Sequence, residues 1–143
     1  MTGIIHKFSG EWDKTFHWDG ARTRTYRNDP TNHVTETWMI GKKEGAENFA
    51  FRYYLLDSGA QSKKEQHNHD HGILVFQGSG EVLLGDEVHT ISRGDIIYIQ
   101  PNTLHQLRNT GAEPLGFLCV IPARREKGGV TVWAEESIKF DQE

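Results

Sequence analysis

The sequence predicts an all-β domain, a sandwich or a barrel, on three observations. Apolar residues recur at period two in short runs from Val34 onward. The runs follow one another at spacings of about ten residues, divided by Gly, Asn, Asp and Pro turns. No longer stretch carries a helical stripe with caps, so helix should be minor.

Each element can be justified in turn. Residues 1–34 read as an arm with one or two short strands, in which Trp12, Phe16, Trp18 and Tyr26 stand among charges. Those rings need a surface to lie on, either this chain's own sheet or a partner's. Glu36-Thr37-Trp38-Met39-Ile40 is a strand ended by Gly41, and residues 48–56 form a strand rich in aromatics. A turn at Asp57-Ser58-Gly59 follows. Residues 72–77 run as a strand to Gly78, and 81–84 with 87–91 make a hairpin around Gly85-Asp86. Asp95–Ile99 follows Gly94, and Gly116–Ile121 stops at Pro122. Along these strands Phe51, Tyr53, Phe76, Tyr98 and Phe117 are expected in the core, with Arg52 or Gln106 as polar contacts for a ligand. Arg124–Lys127 reads as a solvated segment, and Val130–Trp133 as one more strand. The organisation expected is an arm (1–34), a barrel (35–125) and a tail (126–143) that can add an edge strand.

Composition narrows the function classes. The chain has 143 residues, enough for one domain with its own core. Acidic residues number 20 against 16 basic, which argues against nucleic acid as a partner. No apolar run approaches the ~20 residues of a membrane helix, and the amino terminus shows no secretory pattern. The lone Cys119 forbids an intrachain disulfide and sits in the pattern of a small buried hydrophobe. A cytoplasmic protein is the expectation.

The chemistry-bearing feature is His67-Asn68-His69-Asp70-His71, preceded by Glu65. Alternate residues of a strand share a face, and neutral imidazole is the commonest ligand of divalent transition metals. On a straight strand the outer two histidines would lie roughly 13 Å apart, too far to share an ion. The chain must therefore bend between them, and Asn68 and Asp70 suit a bulge or tight corner. With that bend His67 and His71 converge, leaving His69 as third ligand or bystander. His6, His17, His33 and His89 have no ligand-like neighbours.

Together with a second segment, this cluster resembles the cupin superfamily. Gly59 opens a stretch like the family's first motif, the histidines occupy its centre and Gly78 closes it; His71 stands at the family's glutamate position. The second motif is Gly94-Asp95-Ile96-Ile97-Tyr98-Ile99-Gln100-Pro101-Asn102-Thr103-Leu104-His105-Gln106-Leu107-Arg108-Asn109. Gln100 replaces its proline and Asn102 its glycine, asparagine being the next best residue for a positive φ. The resemblance covers residues 59–109. It implies a jelly-roll β-barrel and one divalent transition metal ion, of iron, manganese, nickel, copper or zinc. The implied ligands are His67, His69, His71 and His105, with Glu65 the alternative to His69.

A nitrogen-rich set leaves the ion most of its positive charge, so it should attract a small anionic oxygen ligand. The leading expectation is a non-haem metal-dependent dioxygenase, an oxidoreductase acting on a small enolic, aromatic or carboxylate compound. A redox-inert isomerase or lyase of small acids is the alternative, and a non-enzymatic small-molecule or metal-binding module a third. A homodimer is expected, because arm and tail can cover the edges of a neighbouring sheet.

Overall fold

The computed structural model describes residues 2–141. The described residues form eleven strands: β1 Arg22–Asp29, β2 Asn32–Ile40, β3 Phe49–Leu56, β4 His71–Gln77, β5 Ser79–Leu84, β6 Glu87–Ser92, β7 Ile96–Ile99, β8 His105–Arg108, β9 Leu115–Pro122, β10 Arg124–Lys127 and β11 Val130–Trp133. The described helical content is a short 3-10 turn, Lys42–Glu44. All strand pairs are antiparallel, in a six-stranded sheet ordered β1-β2-β3-β9-β4-β7, a three-stranded sheet β6-β5-β8 and the hairpin β10-β11.

Alternation decides what faces what. Val34, Ala50, Leu56, Ile73, Val75, Phe117 and Ile121 from the large sheet meet Val82, Ile91 and Leu107 from the small one, and all are buried. Burying side chains of this size stabilises the fold by about 1.5–3 kcal/mol each. The expected hairpin turns at Gly85, with φ +67° and Leu84 opposite Glu87.

The structure departs from the sequence reading at several places. Strand β1 runs eight residues within the stretch read as an arm with short strands, and pairs with β2 along its length except at a bulge at Tyr26. Its Arg-Thr-Arg-Thr alternation has no apolar face to announce it; its inward Arg24 is held instead by Glu36 on β2. The aromatics Trp12, Phe16 and Trp18 lie on this chain's own sheet, with Phe16 and Trp18 against Tyr53 and with Trp12 and Phe16 against Phe76. Tyr98 is 59 % exposed rather than core, because β7 turns Ile97 and Ile99 inward and Ile96 and Tyr98 outward. Residues 124–127, read as solvated, are indeed largely exposed, but they pair with β11 as β10. Strand β8 has a single aliphatic residue in four, which is why periodicity did not show it.

Gly78 makes the turn from β4 into β5. Its φ is +79°, and a Cβ there would stand 2.2 Å from the Pro114 carbonyl oxygen. Gly85 shares the left-handed conformation, at φ +67°, but has open space around it. Gly78→Ala is therefore expected to destabilise by about 2 kcal/mol or more, and Gly85→Ala by only about 1 kcal/mol. Equal losses in thermal melts would contradict this account.

Candidate metal centre

The bend required by the sequence is present. Residues 68–69 form a bend, and strand pairing with β7 begins only at His71. Nitrogens of His67, His69 and His71 then lie within 4.8 Å of one another, a spacing that lets one metal ion be reached from all three. The His67 ring is 4.8 Å from His69 and 5.4 Å from His71, centroid to centroid.

His105 arrives from the small sheet. The stretch before the cluster runs beside β8, where Glu65 and His105 exchange two backbone hydrogen bonds of 3.0 and 2.9 Å. Asn102 holds the turn that precedes β8, at φ +65°, as its replacement of glycine implies. Its N–H donates to the His67 carbonyl, and its own carbonyl accepts from the Gln66 side chain. These ties place the His105 ring 4.8 Å from that of His71 and 5.4 Å from that of His67. Two stretches of chain about thirty-five residues apart thus put four imidazoles at one place.

Hydrogen bonds select the free nitrogens. His105 Nδ1 faces the Thr103 carbonyl at 2.8 Å; a carbonyl only accepts, so Nδ1 carries the proton and Nε2 the lone pair. His71 Nε2 is buried with no hydrogen-bond partner, which is costly unless something binds it. Burial first, then the Arg52 charge, pushes the His71 imidazolium down to about 3. Burial also lowers His69 and His105. Neutral rings are the form that ligates a metal. The His67 Nε2–H faces Glu65 Oε2 at 2.8 Å, and the Tyr26 hydroxyl donates to Glu65 Oε1 at 2.7 Å. Burial works to raise the Glu65 carboxyl, but those two bonds outweigh it and hold it at about 2. Glu65 is a carboxylate at the edge of the cluster. These donors fit a divalent transition metal.

The imidazoles line a cleft with two connected lobes. The inner lobe is bounded by His67, His71 and His105 with Tyr26, Tyr54 and Phe117. The outer adds His69, Arg24, Trp38, Arg125 and Ser137. Arg52 lines both lobes. It donates to Tyr54 Oη at 2.6 Å and Cys119 Sγ at 3.1 Å, while its Nε has no partner. Gln106 is not on the cleft wall; its amide donates to the Ser62 carbonyl. Cys119 is buried as read, yet it also lines the inner lobe, 3.6 Å from His71 Nδ1. The other missed groups are Tyr26 and Glu36. A glutamate sharing a strand face with Val34 and Trp38 was the available signal for Glu36. His89 is exposed, and His6 and His17 bond to Glu44 and Ser9 away from the cleft.

Facing antiparallel sheets around a histidine-lined cleft define a β-barrel class with a polar interior site. A family model described as "Cupin domain" matches residues 52–121. The 1-methylthio-D-xylulose 5-phosphate methylsulfurylase of Rhodospirillum rubrum is 36 % identical over 116 residues, which is 78 % of this chain and 72 % of that protein. Among solved structures, a cupin-2 domain from Rhodospirillum rubrum superposes at TM-score 0.71 with 28 % identity, covering 87 % of this chain and 82 % of its own. A cupin 2 conserved barrel domain protein from Rhodopseudomonas palustris gives 0.68 with 29 % identity, covering 83 % and 82 %. The chain belongs to the cupin superfamily.

Proposed function

We propose that this chain is a metal-dependent enzyme holding one divalent transition metal ion on His67, His69, His71 and His105, with Glu65 as the alternative to His69. Its substrate is a small anionic compound bearing a carbonyl or enol oxygen. The observation that carries this reading is the buried, unpartnered His71 Nε2 among three further imidazoles in an open cleft. When bound, such an ion supplies either Lewis-acid polarisation of a substrate oxygen or redox chemistry with dioxygen.

The chain's own groups supply the rest. Arg52 sets a buried positive charge against the anionic part of the substrate. Tyr54 and Phe117, stacked at 5.2 Å, keep water from the floor of the cleft. Tyr26 Oη donates to Glu65 Oε1, so a hydroxyl and a carboxylate stand in contact on the cleft wall beside the imidazoles. The ketose phosphate in the name of the methylsulfurylase relative favours redox-neutral isomerisation or elimination over dioxygenase cleavage. A homodimer belongs to the same reading. Exposed Phe49, Ile96, Tyr98 and Val120 on the outer face of the large sheet support it.

The test is proton exchange. Metal-loaded protein under argon is expected to move deuterium from heavy water into the carbon beside the carbonyl of a ketose phosphate. Glu65→Gln should slow this about 100-fold or more. Turnover that appears only with dioxygen uptake would restore the dioxygenase reading. No exchange and no turnover with metal bound would leave a binding module.

A further inference from the structure

The outer lobe carries positive charge that the histidine centre does not need. Three guanidinium groups, Arg24, Arg52 and Arg125, line it. Glu36 is fully engaged, bonded to Arg24 at 2.8 Å, to Trp38 Nε1 at 2.6 Å and to Arg52 at 3.5 Å. Among the described residues Arg125 has neither a side-chain hydrogen bond nor an ion pair, and its Nε is buried without a partner. Arg52, 8 % exposed, has the same orphan at Nε. Two buried N–H donors on charged groups, facing one lobe beside the histidines, require an acceptor.

The source of this wall is informative. Arg125 lies on β10, and Ala134, Ser137 and Ile138 follow β11. All lie beyond residue 121, where the family match ends. The histidines come from the matched stretch, whereas this half of the cleft is built by the carboxyl-terminal hairpin and turn outside it. Such a division lets one metal chemistry serve different substrates.

Resting on the enzyme reading above, we propose that Arg125, with the Arg52 Nε–H and the Ser137 hydroxyl, forms a subsite for the phosphate of a small phosphate monoester. The reactive end of that molecule lies at the histidines. A dianion matches two guanidinium donors better than a carboxylate does, since each phosphate oxygen can take a charge-assisted hydrogen bond.

The probe is inorganic phosphate, titrated calorimetrically into metal-replete parent, Arg125→Ala, Arg125→Lys and His105→Ala proteins, with acetate as the competing carboxylate. Metal content and circular dichroism are followed in each. Saturable binding is expected in the parent, weakened at least about ten-fold in Arg125→Ala and partly recovered in Arg125→Lys. In His105→Ala, which loses its metal, phosphate should still bind. Binding that survives Arg125→Ala but vanishes with His105→Ala puts the anion on the metal and overturns the subsite. So does an absence of saturable binding, or acetate competing as well as phosphate. If His105→Ala keeps its metal while Arg125→Ala loses phosphate, the subsite stands and the metal assignment fails instead.

Discussion

His105→Ala is expected to yield a folded protein that has lost most of its metal. Altering an outer partner of a metal ligand already costs about 10–100-fold in affinity, and removing a donor should cost at least that. The fold should tolerate it, because the pairing of His105 with Glu65 and Leu84 is through backbone atoms. The side chain gives up one hydrogen bond, to the Thr103 carbonyl, worth about 1 kcal/mol. Metal analysis of protein purified without added metal, beside parent and exposed-site His89→Ala, makes the comparison. Equal metal in His105→Ala and parent would remove His105 from the ligand set. His71→Ala should give the same loss, since its Nε2 is buried with no hydrogen-bond partner in the protein.

The largest loss of stability is expected from Glu36→Ala. Glu36 is 0 % exposed and receives the Arg24 and Arg52 guanidinium groups and the Trp38 indole N–H. Removing it leaves the buried Arg52 and the half-buried Arg24 without a counter-charge and a buried N–H without an acceptor, a loss of about 3–5 kcal/mol. For a chain of this size that lowers Tm by roughly 10 °C. A melt within about 2 °C of the parent would show that solvent reaches these arginines. The pH dependence has a definite sign. Burial alone would raise the Glu36 carboxyl, but Arg52 and Arg24 outweigh it and hold it below the usual range. Its contribution is thus complete above the unfolded value of about 4.3 and fades as pH falls through the lower folded value. In Glu36→Gln this part of the acid limb of the stability curve should flatten.

Several features of the fold are legible in the sequence alone. The hairpin at Gly85, the stop at Gly41 and the strand Val130–Trp133 follow from period-two patterning and glycine punctuation. The bend at residues 68–69 follows from arithmetic, because a straight strand cannot bring His67 and His71 together. Asn102 at positive φ follows from its place in the second motif. Other features left no local trace. Strand β1 is polar along its length, and its inward arginine is stable only against a glutamate on the next strand. Tyr98 has the alternation of a core residue, but the face it occupies depends on which way an edge strand is turned.

The sequence by itself determined the class of fold, the candidate ligand types and the turn that lets them converge, because these depend on neighbours a few residues apart and on two short motifs. Tertiary structure alone decided that Tyr26, Glu36 and Cys119 share the cleft and that Arg125 lies at its far end. Those contacts join strands distant along the chain. Their positions follow from sheet order and register, which are set by the packing of the whole barrel rather than by any one segment.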